Sequence, residues 1–328
     1  MSNLNPKIYE LNVEQEAIRD GFGEGLIEAG EKNKNIVVLC ADLKESTRVE
    51  EFSVKFPERF FELGVAEQNM ASVAAGLATM GKIPFMASYA VFSPGRNWEM
   101  IRTTICYNNT NVKIIGAHAG LNVGPDGGSH QMLEDIALVR VLPKMTVIVP
   151  CDAVEAQKAT LAVANLVGPA YLRLAREKSP IITTGESSFE IGRAEVLIDD
   201  EKPEVTIIAC GLMVYRALLA AHKLEQEGIK VSVVNNHTIK PLDEVTLTEA
   251  VKRTGAVVTA EEHQIAGGLG STIAEFLAQT NPVPIEFVGV VDRFGQSGSS
   301  AELLEHYSLG VDDLIEAVKK VIKRKSEN

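Results

Sequence analysis

Short runs rich in valine and isoleucine alternate along this 328-residue chain with longer segments of helical period, and that alternation constrains the fold more than any other feature. A short apolar run bounded by turn residues suits a strand buried on both faces, which a sheet covered by helices on either side provides. Strands are predicted over residues 36–41, 83–87, 112–117, 146–149 and 170–174, with helices over 14–29, 67–80, 97–108 and 153–165 between them. A second series follows, with strands over 205–210, 231–235, 256–260 and 285–288 and helices over 214–227, 243–253, 269–279 and 311–323. The fold class is therefore α/β, two three-layer domains built on largely parallel sheets. Between the series Pro180, Gly185, Ser187 and Ser188 break the periodicity. The first domain is read as 1–182, a linker as 183–190 and the second domain as 191–328. The basic tail KKVIKRKSEN reads as a frayed, solvated helix end.

Charge and cysteine usage exclude several classes. The chain holds 32 lysines and arginines against 44 acidic residues, a net −12, which disfavours nucleic acid and anionic membrane surfaces as partners. Its apolar runs all fall short of the roughly 18 residues of a membrane span. The start, MSNLNPKIYELNVEQ, lacks a cationic and then apolar leader and reads as mature sequence. Cys40, Cys106, Cys151 and Cys210 are widely spaced in apolar surroundings, which points to buried free thiols in the cytoplasm rather than to disulfides or zinc.

Ligand-binding loops in such sheets lie at the carboxyl ends of the strands. Four polar segments fall there: ADLKEST, ELGVAEQNM, SYAVFSPGRN and AHAGLNVGPDGGSHQ. Glu67 stands at a loop-to-helix junction among Val65, Ala66 and Met70, a setting for a carboxyl group that exchanges a proton near neutrality, or for one that complements the helix dipole. His118, Asp126 and His130, set among glycines, suit recognition of a polyhydroxylated substrate and proton shuttling, or form a surface turn. No metal ligand set is recognisable. Tyr89 and Phe92 are candidates to stack on a flat heterocycle, or core residues. Arg176 follows a strand, where a guanidinium can meet an anion, or is a surface arginine. The glycines of GGLGST either expose amides to a phosphate or form a tight loop. His222, His237, His263 and His306 are read as structural or surface residues, His263 as a candidate for a subunit contact.

In their order along the chain these segments resemble the C-terminal half of transketolase, a thiamine-diphosphate enzyme. ELGVAEQNM is similar to the family's G-V-x-E segment and places Glu67 at the cofactor's pyrimidine, beside Val65. SYAVFSPGRN resembles the pyrimidine-holding segment, with Phe92 in the stacking position and Tyr89 in the pocket wall. HAGLNVGPDGGSHQ resembles the substrate loop and carries over His118, Asp126 and His130. LRLAREK puts Arg176 where the family binds a sugar phosphate. CADLKEST looks like the S-A-D-L segment, with Asp42 near the cofactor and Ser46, together with Arg19, near the phosphate. The resemblance implies a pyrimidine-binding domain followed by a transketolase C-terminal domain. It implies transfer of a two-carbon ketol unit between sugar phosphates through a thiamine-diphosphate carbanion, with Glu67, His118 and His130 catalytic. The second domain would serve dimerisation rather than catalysis.

One departure from the family pattern matters. The G-D-G…N motif that carries Mg²⁺ and the diphosphate in complete transketolases is not in this sequence, and PDGG at 125–128 belongs to the substrate loop. The expectation is a C-terminal subunit, inactive alone, paired in an α2β2 assembly with an N-terminal subunit that supplies those ligands. The β subunit of a 2-oxo-acid dehydrogenase is the rival, similar in TIKPLD and EEHQIAGG, but Asp126 before His130 looks like a ketose-phosphate site. Deoxyxylulose-phosphate synthase and a non-catalytic interaction subunit are further alternatives. The preferred sugar phosphate, and whether the pathway is pentose-phosphate flux, stay open.

Overall fold

The computed structural model describes residues 4–327. Its strands are β1 (Gln15–Ala17), β2 (Ile36–Cys40), β3 (Phe60–Glu62), β4 (Ile83–Tyr89), β5 (Lys113–Ala117), β6 (Thr146–Ile148), β7 (Ala170–Arg173) and β8 (Lys178–Pro180). They continue with β9 (Glu195–Ile198), β10 (Val205–Ala209), β11 (Val231–Asn235), β12 (Thr238–Lys240), β13 (Val257–Gln264) and β14 (Ile285–Val290). Each apolar run read as a strand forms one. A seven-stranded sheet has the order β12-β6-β7-β5-β4-β2-β3 and is parallel except for β12, and a five-stranded sheet has the order β14-β13-β10-β11-β9 and is parallel except for β9.

The helices are α1 (Ile18–Lys32), α2 (Glu50–Lys55), α3 (Glu67–Thr79), α4 (Trp98–Met100), α5 (Asp135–Arg140), α6 (Ala153–Asn165), α7 (Met213–Gln226), α8 (Glu244–Thr254), α9 (Leu269–Thr280), α10 (Ser300–His306) and α11 (Val311–Ser326). Alternate residues of β2 enter different cores, as the period of a strand requires. Ile36, Val38 and Cys40 pack with α1 and α6, whereas Val37 and Leu39 pack with α3. The α1–α6 contact is close because Gly21 has no side chain: a Cβ there would lie 1.9 Å from the Ala153 carbonyl oxygen. The second core extends to Leu247 and Val251 of α8 and Ile273 of α9, so the two sheets share apolar packing.

Three expectations are corrected. The helix predicted from residue 14 starts at Ile18, because Gln15–Ala17 pairs antiparallel with Lys178–Pro180 and forms a ribbon instead. The helix predicted over 97–108 is α only over Trp98–Met100 and continues in wide π-type turns over Ile101–Tyr107. Residues 238–240, outside every predicted element, add an edge strand to the first sheet, where Lys240 Nζ donates to the carbonyls of Arg140 (2.9 Å) and Leu142 (2.6 Å). The basic tail is not frayed through its described length. It forms the end of α11, with Arg324 donating to the Ile285 carbonyl and Lys325 to the Thr254 carbonyl; Asn328 lies outside the described residues. All four cysteines are buried and unpaired, and burial pushes the thiols of Cys40 and Cys106 up to about 11. Among the described residues no helix is long and apolar enough to cross a membrane.

Candidate active site

The parallel order of β2, β4, β5 and β7 brings their carboxyl-end loops to one edge of the first sheet. There the Tyr89 ring stacks on His118, with centroids 3.8 Å apart and planes inclined by 18°. Phe92 lies 6.1 Å from Tyr89 and nearly parallel to it. His130 meets both edge-on, at 6.2 Å and 5.7 Å. Two segments predicted from sequence as separate pieces of a site thus converge on one aromatic cluster. His118 follows β5 with φ of 54°, a left-handed conformation that a non-glycine residue keeps only where its surroundings hold it.

Arg19, in the first turn of α1, ties this cluster to the loop after β2. Its Nη1 donates to the Ser46 carbonyl at 2.9 Å and lies 3.4 Å from His118 Nε2. Burial, and then the charges of Arg19, Arg176, Arg48 and His130, push the His118 imidazole down to about 3. The ring is therefore neutral at ordinary pH. A guanidinium has only donors, so Nε2 accepts and the single proton sits on Nδ1. That Nδ1 and Arg19 Nε are both buried without a partner. Two buried donors left unmatched at the same cluster are what a site built for an oxygen-rich ligand leaves exposed to it.

The His118 shift has a consequence for stability. A histidine free in the unfolded chain protonates near 6.5, whereas the folded one resists until about 3. The unfolded state binds more protons between those values, so stability is unaffected above about pH 6.5 and falls as the pH drops toward 3. His118→Gln should flatten the dependence of unfolding free energy on pH in that window; denaturant titrations across it check this, and an unchanged slope would refute the assignment.

Glu67 is the first residue of α3 and only 1% exposed. Its Oε2 accepts from Arg96 Nη1 at 2.8 Å and its Oε1 lies 3.5 Å from Ser88 Oγ, while its main-chain carbonyl accepts from Asn97 Nδ2 at 3.1 Å. The Arg96 guanidinium also lies over the Phe92 ring, 4.8 Å from its centroid, and so joins Glu67 to the aromatic cluster. The expected apolar wall is corrected in one respect. Met70 is buried, but Val65 is 69% exposed, because Gly64, at φ 69°, turns the loop outward before α3 begins. Asp42, at φ 60°, is also exposed, and its main-chain N–H donates to Glu62 Oε1 at 2.7 Å. Among the described residues no hydrogen bond, ion pair or ring contact joins Asp42 or Val65 to the cluster.

Asp126 and Arg176 face each other, with Oδ2 and Nη1 3.9 Å apart, and Arg176 Nη1 donates to the Val123 carbonyl at 2.5 Å. The glycine-rich start of α9 is not open to a phosphate. Its Leu269 and Gly270 amides donate to Glu261 at 2.7 Å and 2.8 Å, so a carboxylate of the chain itself fills that place. His263 is fully buried against α5, with its Nε2 3.4 Å from the Ala137 N–H, and lines no surface of this chain. A cavity of about 670 Å³ opens beside the Asp126–Arg176 pair, lined by Gln15, Asn122, Pro125, Glu177, Arg216 and Ser300.

Residues 14–181 match the transketolase pyrimidine-binding domain and residues 194–314 the transketolase C-terminal domain. The chain belongs to the transketolase family. It is 44% identical over 319 residues to a putative transketolase C-terminal section of Methanocaldococcus jannaschii, covering 96% of this chain and 99% of that protein. It is 40% identical to a 6-deoxy-6-sulfo-D-fructose transketolase subunit of a Clostridium species, covering 97% and 98%. A solved split-gene transketolase, described as an inactive β4 tetramer, superposes with a TM-score of 0.88 at 48% identity, over 94% of this chain and 99% of that one.

Transketolases depend on thiamine diphosphate, and the residues present fit its pyrimidine end. The chain offers a partly open Phe92 ring and a buried Glu67 carboxylate for that end. Arg96 and Asn97 escaped the sequence reading. They stand four and five residues after Phe92, but only the turn between β4 and α4 carries them back to Glu67.

Proposed function

We propose that this chain is the C-terminal subunit of a two-chain transketolase that moves a two-carbon ketol unit from a ketose to an aldose, each bearing an anionic end. The observation that carries this reading is the convergence of Glu67, Phe92, His118, His130 and Arg19 on one edge of the first sheet, with the Asp126–Arg176 pair on the loops beside it. Residues 1–182 would hold the pyrimidine, 183–190 link, and 191–328 complete the fold. An N-terminal subunit would supply Mg²⁺ and the diphosphate site in an α2β2 assembly. Four buried thiols suit a reducing cytoplasm.

Bound thiamine diphosphate supplies a nucleophilic thiazolium carbon for breaking and remaking the ketose carbon–carbon bond. Glu67 would hold a proton at Oε2 against the pyrimidine nitrogen, the atom at which Arg96 now sits. Phe92 would offer its ring to the flat heterocycle. His118 would donate from Nδ1 to a substrate oxygen. His130, whose Nδ1 is 3.0 Å from Ser129 Oγ, keeps Nε2 for relaying a proton. Arg176 would bind the anionic end, remote from the reacting carbon. The sulfo-sugar transketolase subunit among the relatives widens that end from phosphate to sulfonate.

Mixing this chain with a separate N-terminal transketolase subunit, thiamine diphosphate and Mg²⁺ should produce ketol transfer, and the chain with cofactors alone should give none. Transfer by this chain with no partner would overturn the two-chain reading. An inactive mixture that nevertheless co-elutes as one complex would overturn the assigned reaction.

A further inference from the structure

The second unit does more than pack behind the site. Strand β13 carries Glu261, Glu262 and His263, and because side chains alternate along a strand, Glu262 points away from its two neighbours. Glu261 and His263 face Gly268 before α9, whereas Glu262 reaches the substrate loop of the first unit. Its Oε1 accepts the Asn122 main-chain N–H at 2.6 Å. Gly120, at φ 85°, clears the way, since a Cβ there would lie 2.5 Å from the Glu262 carboxyl carbon. The main-chain carbonyl of Glu262 is held in turn by Arg173 Nη2 at 2.9 Å, and Arg173 pairs with buried Asp135 at 2.8 Å.

Asn122 passes this anchorage on. Its Oδ1 accepts the main-chain N–H of Arg176 at 2.8 Å and of Glu177 at 2.6 Å, and its Nδ2 donates to Ser300 Oγ at 3.1 Å. Both Asn122 and Glu262 are buried, so water does not compete for these bonds. The Arg176 backbone is thus fixed by one asparagine that a second-unit carboxylate holds in place.

We propose that Glu262, acting through Asn122, is a positioning residue for Arg176, so that the second unit sets the discrimination for an anionic substrate end. The proposal rests on the reading of Arg176 as the anion-binding residue. Removing either partner would leave the guanidinium in place but free its backbone from the angle that aims it, and misplacement of about 1 Å is costly in a built site.

The test uses the two-chain complex with D-fructose 6-phosphate against D-fructose as donors, and Glu262→Ala, Asn122→Ala, their double variant and Arg176→Ala. Expected is a roughly tenfold fall in the ratio of kcat/KM for the phosphorylated over the free ketose in each of the first two variants, with the double variant no worse than the worse single one. Glu262→Gln, which keeps an acceptor for Asn122, should restore most of the ratio. Equal losses on both donors, or no loss, in Glu262→Ala and Asn122→Ala while Arg176→Ala still lowers the ratio would overturn the positioning role alone. An unchanged ratio in Arg176→Ala would overturn the underlying reading as well. Should Glu262→Ala fail to assemble, Asn122→Ala and Glu262→Gln decide the matter by the same ratio.

Discussion

Replacing Glu67 with alanine should lower the turnover of the two-chain complex by about 100-fold or more, the range general acid–base groups contribute. The side chain is almost fully buried, at the start of α3, and the group beside it is the Arg96 guanidinium that also covers Phe92. A carboxylate in that place can give up its bond to an exposed arginine when a ring nitrogen arrives, and an alanine leaves nothing to hold a proton there. The arginine is 41% exposed, so after the substitution it turns to solvent, and the fold should lose little. Glu67→Gln separates the roles: it keeps the size and hydrogen-bonding reach but does not exchange a proton, and should be nearly as slow as the alanine variant. Single-turnover and steady-state assays with saturating cofactor check this, with circular dichroism confirming the fold. Turnover near that of the parent chain in either variant would remove Glu67 from the chemistry.

Arg176→Ala carries the second large effect. Hydrogen bonds to a charged group contribute about 1.5–3 kcal/mol, which corresponds to roughly 10- to 100-fold in kcat/KM for a donor with a phosphate or sulfonate end. The same substitution should change the rate with an unphosphorylated ketose little, because Asn122 accepts from the Arg176 main chain and not from its side chain. Asp126, 3.9 Å from the guanidinium, would then face the anion without its counter-charge, which adds to the loss. Competition between phosphorylated and free donors in one assay measures the ratio directly. Equal losses with both donors would mean that Arg176 supports the loop and binds no anion.

The strand pattern of this molecule was open to a reader of the sequence because burial on both faces of a sheet demands uninterrupted apolar runs, and such runs stand out. The short edge elements were not. Thr238–Lys240 and Gln15–Ala17 have no apolar pattern of their own and become strands only because a neighbour, β6 or Lys178–Pro180, offers unpaired main-chain groups. The site divides in the same way. His118, His130, Tyr89 and Phe92 stood at the strand ends and in the loops that any parallel sheet gathers at one edge, so their meeting was foreseeable. Arg96 and Asn122 were not, since their partners lie 29 and 140 positions away along the chain.

The sequence by itself determined which residues could form helix-covered strands and, by the order of its motifs, the family to which the chain belongs, because periodicity and local motif are properties of neighbouring residues. Only the tertiary structure decided that Glu261 closes the glycine-rich helix start, that Arg96 stands over Phe92 at Glu67, and that Glu262 of the second unit holds the loop after β5. Each of those depends on a carboxylate or a guanidinium finding its partner across space, and burial, which gives such pairs their strength, is set by packing between elements far apart in the chain.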